Sequence, residues 1–63
     1  MKIVKVTAYP ITYDIQTTAK ESITVGEMIE RLQDFPQDAK VVYQKGGDSI
    51  YCYFEYDDSF REL

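Results

Sequence analysis

The carboxylates near the C-terminus are the side chains of this sequence with the greatest capacity for chemistry. Glu55, Asp57 and Asp58 stand close together, and such groups can bind cations or act in acid–base catalysis. Adjacent aspartates without a glycine-containing ligand loop do not match an EF-hand, and no partner base is indicated for a catalytic pair. The segment reads either as a solvated C-terminus or as part of an acidic-aromatic surface that mimics nucleic-acid phosphate.

Other reactive side chains are scarce. The 63 residues include no histidine and a single cysteine, Cys52, so neither a disulfide within the chain nor a zinc site is expected. A lone thiol in a strand pattern is usually a small core residue. The GGDS segment at residues 46–49 is not a phosphate loop, because no lysine and no helix start follow it. We predict a non-enzymatic protein without a metal or cofactor.

The net charge of −4 is concentrated in the last third of the chain. Residues 46–63 contain five acidic residues against Arg61, whereas residues 1–20 contain three lysines against Asp14. An acidic chain repels phosphate, so direct nucleic-acid binding is disfavoured and a basic partner protein fits better. The simpler alternative is a solvated acidic surface that keeps the protein soluble.

One amphipathic helix is predicted near the middle of the chain. Thr24 and Glu27 have the spacing of a capping box, in which each side chain bonds a backbone N–H of the other residue. Pro36 ends the helix at about Asp34 or Phe35. Between these limits, apolar residues recur at steps of three and four and form one stripe that must be buried. The stripe comprises Val25, Met28, Ile29, Leu32 and Phe35.

Alternating segments on both sides of this helix predict strands. KIVKVTAY at residues 2–9 alternates, as does the run at residues 11–16, and we favour two strands there over one long bent strand. The polar residues 17–22 predict the loop into the helix. VVYQK at 41–45 and IYCYFEY at 50–56 flank Gly46-Gly47, which is a strong hairpin signal.

These elements predict one α+β domain over residues 1–63, with a small ββαββ arrangement. It would have a four-stranded, mainly antiparallel sheet and one amphipathic helix packed on one face. In the predicted hairpin, one side of the two strands faces the helix. That side comprises Ala39, Val41, Tyr43, Ile50, Cys52 and Phe54.

The same register puts Val42, Tyr51 and Tyr53 on the face that no helix covers. Six tyrosines in 63 residues are several times the usual number, which directs attention to this face. Tyrosine offers a large contact area with a hydrogen-bonding tip and is enriched in interface cores. The alternative is that tyrosine serves here as a good strand former whose ring is covered by neighbouring side chains.

The block TVGEMIERLQDFPQDAKVVY, at residues 24–43, resembles a segment that recurs in short proteins of phages and prophages, many without an assigned function. The pattern is T-V-x-[ED]-[LM]-I-E-x-L-x-x-x-P-x-D-A-x-V. The residues that match it are Thr24, Val25, Glu27, Met28, Ile29, Glu30, Leu32, Pro36, Asp38, Ala39 and Val41. The resemblance implies a small accessory or host-directed protein, of which anti-CRISPR-like inhibitors are one kind.

The leading functional hypothesis is a protein-binding module that docks an acidic-aromatic sheet face on a basic partner protein. Its predicted partner-binding residues are Val42, Tyr51, Tyr53, Glu55, Asp57 and Asp58. The alternative is a homo-oligomeric structural or scaffolding protein, such as a homodimer, whose sheet face is buried by another copy. No signal peptide or apolar run of ~20 residues is evident, so a cytoplasmic location is expected.

Overall fold

The computed structural model describes residues 1–63, apart from the side chain of Thr12. Its first half contains strand β1 (Ile3–Thr12), helix α1 (Ile15–Glu21) and helix α2 (Val25–Leu32). Its second half contains three strands, β2 (Lys40–Lys45), β3 (Tyr51–Tyr53) and β4 (Phe60–Glu62). The chain is thus a small α+β protein with a four-stranded sheet, but its element order is βααβββ rather than the predicted ββαββ.

Strand β1 lies at the centre of the sheet, which is mixed rather than mainly antiparallel. β2 pairs with one edge of β1 in parallel, and Val4 lies opposite Val41. On the other edge, β4 pairs antiparallel with the first half of β1, while β3 pairs antiparallel with its second half. The two helices form the long crossover that a parallel pair of strands requires.

The predicted hairpin between β2 and β3 is wrong, because these strands flank β1 on opposite edges. The glycines serve a different purpose: they let the chain pass close over the end of β1. Gly47 has a φ of 67°, and a Cβ at this position would lie 2.7 Å from the Cγ of Pro10. The Gly46 N–H donates to the Ala8 carbonyl at 2.9 Å. Gly46-Gly47 therefore indicates a close backbone approach rather than a two-residue turn.

The predicted second strand at residues 11–16 and the predicted loop at 17–22 are also wrong, because helix α1 occupies most of this region. Asp14 caps the helix: its carboxylate accepts hydrogen bonds from the Gln16 N–H at 3.1 Å and the Thr17 hydroxyl at 2.6 Å. These bonds, that of the Thr17 hydroxyl foremost, lower the pKa of Asp14. Local capping thus outweighs an alternation that covers only six residues.

The capping box of α2 is confirmed. The Glu27 N–H donates to the Thr24 hydroxyl at 3.0 Å, and the Thr24 N–H donates to the Glu27 carboxylate at 2.9 Å. The regular helix ends at Leu32, slightly earlier than predicted, because the amides of Asp34 and Phe35 bond carbonyls three residues back and tighten the chain into turns before Pro36.

The helix stripe is only partly buried. Met28, Leu32 and Phe35 pack against the core, whereas Val25 and Ile29 are exposed. The centre of the core consists of Val4, Val6 and Phe60. Phe60 lies beyond the last predicted strand at residues 50–56, and it is buried because β4 pairs with β1.

Removing the hydroxyl of Thr24 tests whether the capping box stabilises the fold. We expect Thr24→Ala to lower the free energy of unfolding by ~1 kcal/mol, because an orphan N–H of the first turn loses its partner. A loss of this size should lower the melting temperature of so small a domain by about 4–8 °C. Thr24→Ser, which keeps the hydroxyl, is the matched control for thermal melting by circular dichroism. Equal losses in both variants would contradict the capping role.

Candidate protein-binding surfaces

Two tyrosines meet where β3 joins β1. Tyr9 and Tyr53 are directly opposed in the antiparallel ladder, so their side chains leave the same face of the sheet. Their ring centroids lie 5.8 Å apart, with the ring planes tilted by 41°. This separation is within the range in which aromatic pairs attract each other. The pair lies on the face of β1 opposite the buried residues Val4 and Val6.

The acidic segment after β3 is held against these two rings. The Tyr53 hydroxyl donates to the Glu55 carboxylate at 3.2 Å, and the Tyr9 hydroxyl donates to the Asp58 carbonyl at 3.1 Å. Ser59 is buried, and its hydroxyl accepts the Glu55 N–H at 2.7 Å. The turn between β3 and β4 is therefore tied to both tyrosines and to its own backbone, which gives this acidic segment a defined position.

Burial and nearby carboxylates together raise the pKa of Tyr53. Desolvation is the largest cause of this rise. The hydrogen bond to Glu55 and the negative charges of Glu55 and Glu21 raise the pKa further. The tyrosine therefore stays neutral and remains a hydrogen-bond donor at physiological pH. A cationic group bound at this place would act in the opposite direction and lower the pKa of Tyr53.

Three further predicted binding residues lie at this end of the sheet and are exposed to solvent. Tyr51 precedes Tyr53 by two residues on β3, so the two side chains leave the same side of the strand. Asp57 and Asp58 are exposed in the turn that leads to β4. We define the acidic-aromatic surface as Tyr9, Tyr51, Tyr53, Glu55, Asp57 and Asp58. Tyr9 was not among the predicted binding residues, because its position beside Tyr53 depends on the pairing of distant strands.

Val42 lies away from the acidic-aromatic surface. It is opposite Lys5 on the far edge of β1, whereas Tyr53 is opposite Tyr9. Four residues along β1 and two interstrand spacings separate Val42 from Tyr53, which corresponds to roughly 16 Å. On the other side of Lys5 lies Arg61, so this end of the sheet face is basic.

The Tyr56 side chain contacts helix α2. Its hydroxyl donates to the Glu30 carboxylate at 2.9 Å, and this bond is the main cause of the raised pKa of Tyr56. The guanidinium carbon of Arg31 lies 5.9 Å from the centre of the Tyr56 ring and 4.7 Å from that of Phe35. Tyr56 therefore joins the last segment of the chain to the helix.

A second surface, which the sequence pattern did not reveal, is the free edge of the sheet at β2. We define this edge surface as Val41, Val42 and Tyr43, whose exposed fractions are 65%, 50% and 57%. Val41 pairs with Val4 and Tyr43 pairs with Val6, so their side chains leave the sheet on the predicted side, the same side as the buried valines. Helix α2 nevertheless does not cover them. Of the other residues predicted on that side, Ala39 and Phe54 contact the core, Cys52 is half-buried and Ile50 is exposed.

An apolar groove borders the edge surface on the helix side. It has a volume of about 180 Å³ and opens to solvent. Leu32, Phe35, Pro36 and Val41 contribute to its lining, so it lies between the end of α2 and the edge strand. Its composition suits an apolar or aromatic side chain rather than a charged substrate.

Within the described part of the chain, no three acidic or cysteine side chains come together in a way that could bind a metal ion. Neither described helix has the length and apolar character needed to cross a bilayer. No known protein family, curated protein or solved structure matches the chain. The arrangement defines a small mixed-sheet α+β domain with the acidic-aromatic surface at one edge and the exposed edge surface of β2 at the other.

Proposed function

We propose that this chain is a non-enzymatic protein-binding module that docks its acidic-aromatic surface on a basic segment of a partner protein. The observation that carries the proposal is the Tyr9–Tyr53 pair with the Glu55 carboxylate bonded to its rim. Exposed Asp57 and Asp58 extend the negative charge beyond the rings. Aromatic centres with a charged rim are the usual composition of protein-recognition sites.

One physical feature supports a basic partner in particular, and a second supports binding in general. Lysine and arginine can stack on tyrosine faces, and the nearby carboxylates can pair with the same cations. The hydroxyls of Tyr9 and Tyr53 already donate within the chain, so the rings are held in position before a partner arrives. Such preorganisation reduces the entropy that association would otherwise cost.

The resemblance of residues 24–43 to short phage and prophage proteins supports a more specific form of this proposal. A small accessory protein that inhibits a host protein, as anti-CRISPR-like proteins do, needs a rigid docking surface and no active site. The acidic character of this surface suits a target that itself binds nucleic acid, since such a target presents a basic groove.

The test measures binding to a partner isolated from host-cell lysate and then purified. We expect Tyr51→Ser/Tyr53→Ser to weaken the partner affinity by at least about tenfold, because the aromatic centre of the interface is lost. Tyr51→Ser alone should give part of this loss without disturbing the bond between Tyr53 and Glu55. Tyr43→Ser, on the opposite edge of the sheet, is the matched control and should bind normally.

The charge contribution is tested separately with Asp57→Asn/Asp58→Asn. We expect slower association and a weaker salt dependence, because exposed charges mainly steer the encounter of the two proteins. Folding of every variant is checked by circular dichroism. Undiminished binding by a folded Tyr51→Ser/Tyr53→Ser variant would contradict the proposal.

A further inference from the structure

The free edge of β2 has its own set of unused backbone groups. The Lys40 N–H donates to the Lys2 carbonyl and the Gly46 N–H donates to the Ala8 carbonyl, both at 2.9 Å. Even-numbered residues of β2 thus direct their backbone groups towards β1. Because the direction alternates along a strand, the N–H and C=O groups of Val41 and Tyr43 point to the open side.

An edge of this kind is a template for another strand. Natural sheets usually shield long apolar edges with charges, bulges or a covering element. Here Lys40 and Lys45 stand at the two ends of β2, while the three residues of the edge surface between them are apolar or aromatic and at least half exposed. The centre of the strand is therefore open both to backbone pairing and to apolar contact.

We infer that β2 pairs antiparallel with β2 of a second copy of this chain, about a two-fold axis that passes through Val42. In this register Val41 of each copy lies opposite Tyr43 of the other, and Val42 lies opposite Val42. The Val41 and Tyr43 groups that point outwards form the hydrogen-bonded pairs of the ladder. The result is one continuous sheet across both copies, and it uses the edge opposite the acidic-aromatic surface.

The alternative registers are less favourable. A register with Lys40 directly opposite Lys45 would pair a residue whose backbone groups point towards β1 with one whose groups point to the open side. The two residues could not exchange hydrogen bonds, so the ladder could not form. An axis at Tyr43 would place Val42 against Gln44 and Val41 against Lys45. An axis at Val41 would need the Ala39 N–H, which already donates to the Pro36 carbonyl at 3.1 Å. Only the axis at Val42 matches every residue of the edge surface with an apolar or aromatic one.

The groove beside Val41 supports a second copy as the occupant of this edge. In the inferred register, Tyr43 of one copy lies directly across from Val41 of the other, on the helix side of the sheet. Its ring is then next to the groove of about 180 Å³. Each copy thus supplies both a groove and an exposed ring, and such self-complementarity is what a two-fold interface requires.

The inference does not depend on the proposed function, and its test is the oligomeric state of the full chain. Light scattering of the native protein should give a mass that rises from one copy towards two between micromolar and millimolar concentration. Val42→Glu and Val42→Lys should each weaken dimerisation by at least about tenfold, since like charges then face each other across the axis. The position is half exposed, so both variants should fold.

An equimolar mixture of the two variants gives the decisive result. Mixed dimers should form, because glutamate then faces lysine across the axis, and native mass spectrometry can distinguish them from either parent dimer. The Tyr51→Ser/Tyr53→Ser variant should dimerise like the native protein, because it leaves β2 unchanged. A constant monomer mass up to millimolar concentration would overturn the inference and leave a strand of a different protein as the occupant of this edge. Dimers that are insensitive to charge at residue 42 would overturn it as well.

Discussion

Phe60→Ala is expected to leave the domain largely unfolded or at the limit of stability. Phe60 is buried, lies opposite Val6 in the sheet and stacks on Phe54 with ring centroids 6.4 Å apart. Truncating a buried phenylalanine costs about 3–5 kcal/mol through lost apolar burial and the cavity that remains. A chain of this length has a total stability of roughly 3–9 kcal/mol, so one side chain can account for most of it.

Urea unfolding followed by circular dichroism measures this effect. Leu63→Ala is the control, because Leu63 lies just beyond β4 and is 66% exposed, so the variant should differ from the native protein by less than about 0.5 kcal/mol. Phe60→Leu, which keeps most of the apolar volume, should lie between the two. A Phe60→Ala variant with a nearly native unfolding midpoint would mean that β4 does not complete the core.

Arg31→Ala is expected to produce the second largest loss, about 2–3 kcal/mol, because a charged donor is removed from two partly buried carbonyls. The Arg31 guanidinium donates to the Tyr56 carbonyl at 2.8 Å and to the Phe60 carbonyl at 3.4 Å. It also lies over the Phe35 ring, 4.7 Å from its centre. These contacts join α2 to the segment between β3 and β4 and to the start of β4.

Arg31→Lys should recover little of this stability, since an ammonium group cannot reproduce the planar arrangement of several donors. Amide hydrogen exchange of Leu63, whose N–H donates to the Ile3 carbonyl, should become faster in both variants as β4 loosens. Gln33→Ala, an exposed change at the end of the same helix, is the control for both measurements. Full rescue by lysine would show that only the positive charge matters.

The Arg31→Ala variant also links the stability of the fold to the proposed binding surface. Glu55 and Asp58 belong to the segment that Arg31 secures through the Tyr56 carbonyl. We therefore expect Arg31→Ala to reduce partner affinity even where the protein remains folded, because the acidic segment would no longer be held against Tyr9 and Tyr53. The loss should be smaller than that of the double tyrosine variant.

Elements specified by neighbouring residues could be predicted from the sequence. The capping box of α2 involves residues three positions apart, and the alternation in β1 puts Val4 and Val6 on one face, although the structure decides that this face is the buried one. The α+β class follows from these two elements. Helix α1 also had a local signal, since Asp14 is a good N-cap residue, but the short alternating run around it favoured a strand.

The binding surfaces depend on contacts that are distant in sequence. Tyr9 meets Tyr53 only because β3 lies on the far side of β1, and Phe60 enters the core only because β4 lies beside it. The pattern of β2 and β3 suits either a hairpin or two separate edges, since alternation specifies the faces of a strand and not its neighbours.

The sequence by itself thus determined the α+β class, the start of α2, the apolar side of β1 and the acidic character of the C-terminal third. Tertiary structure alone decided the order of the strands, and with it the separation of the acidic-aromatic surface from the free edge of β2. The physical reason is the range of the interactions. Capping and alternation act over a few residues, whereas strand order depends on which distant backbone groups and apolar side chains can be satisfied together.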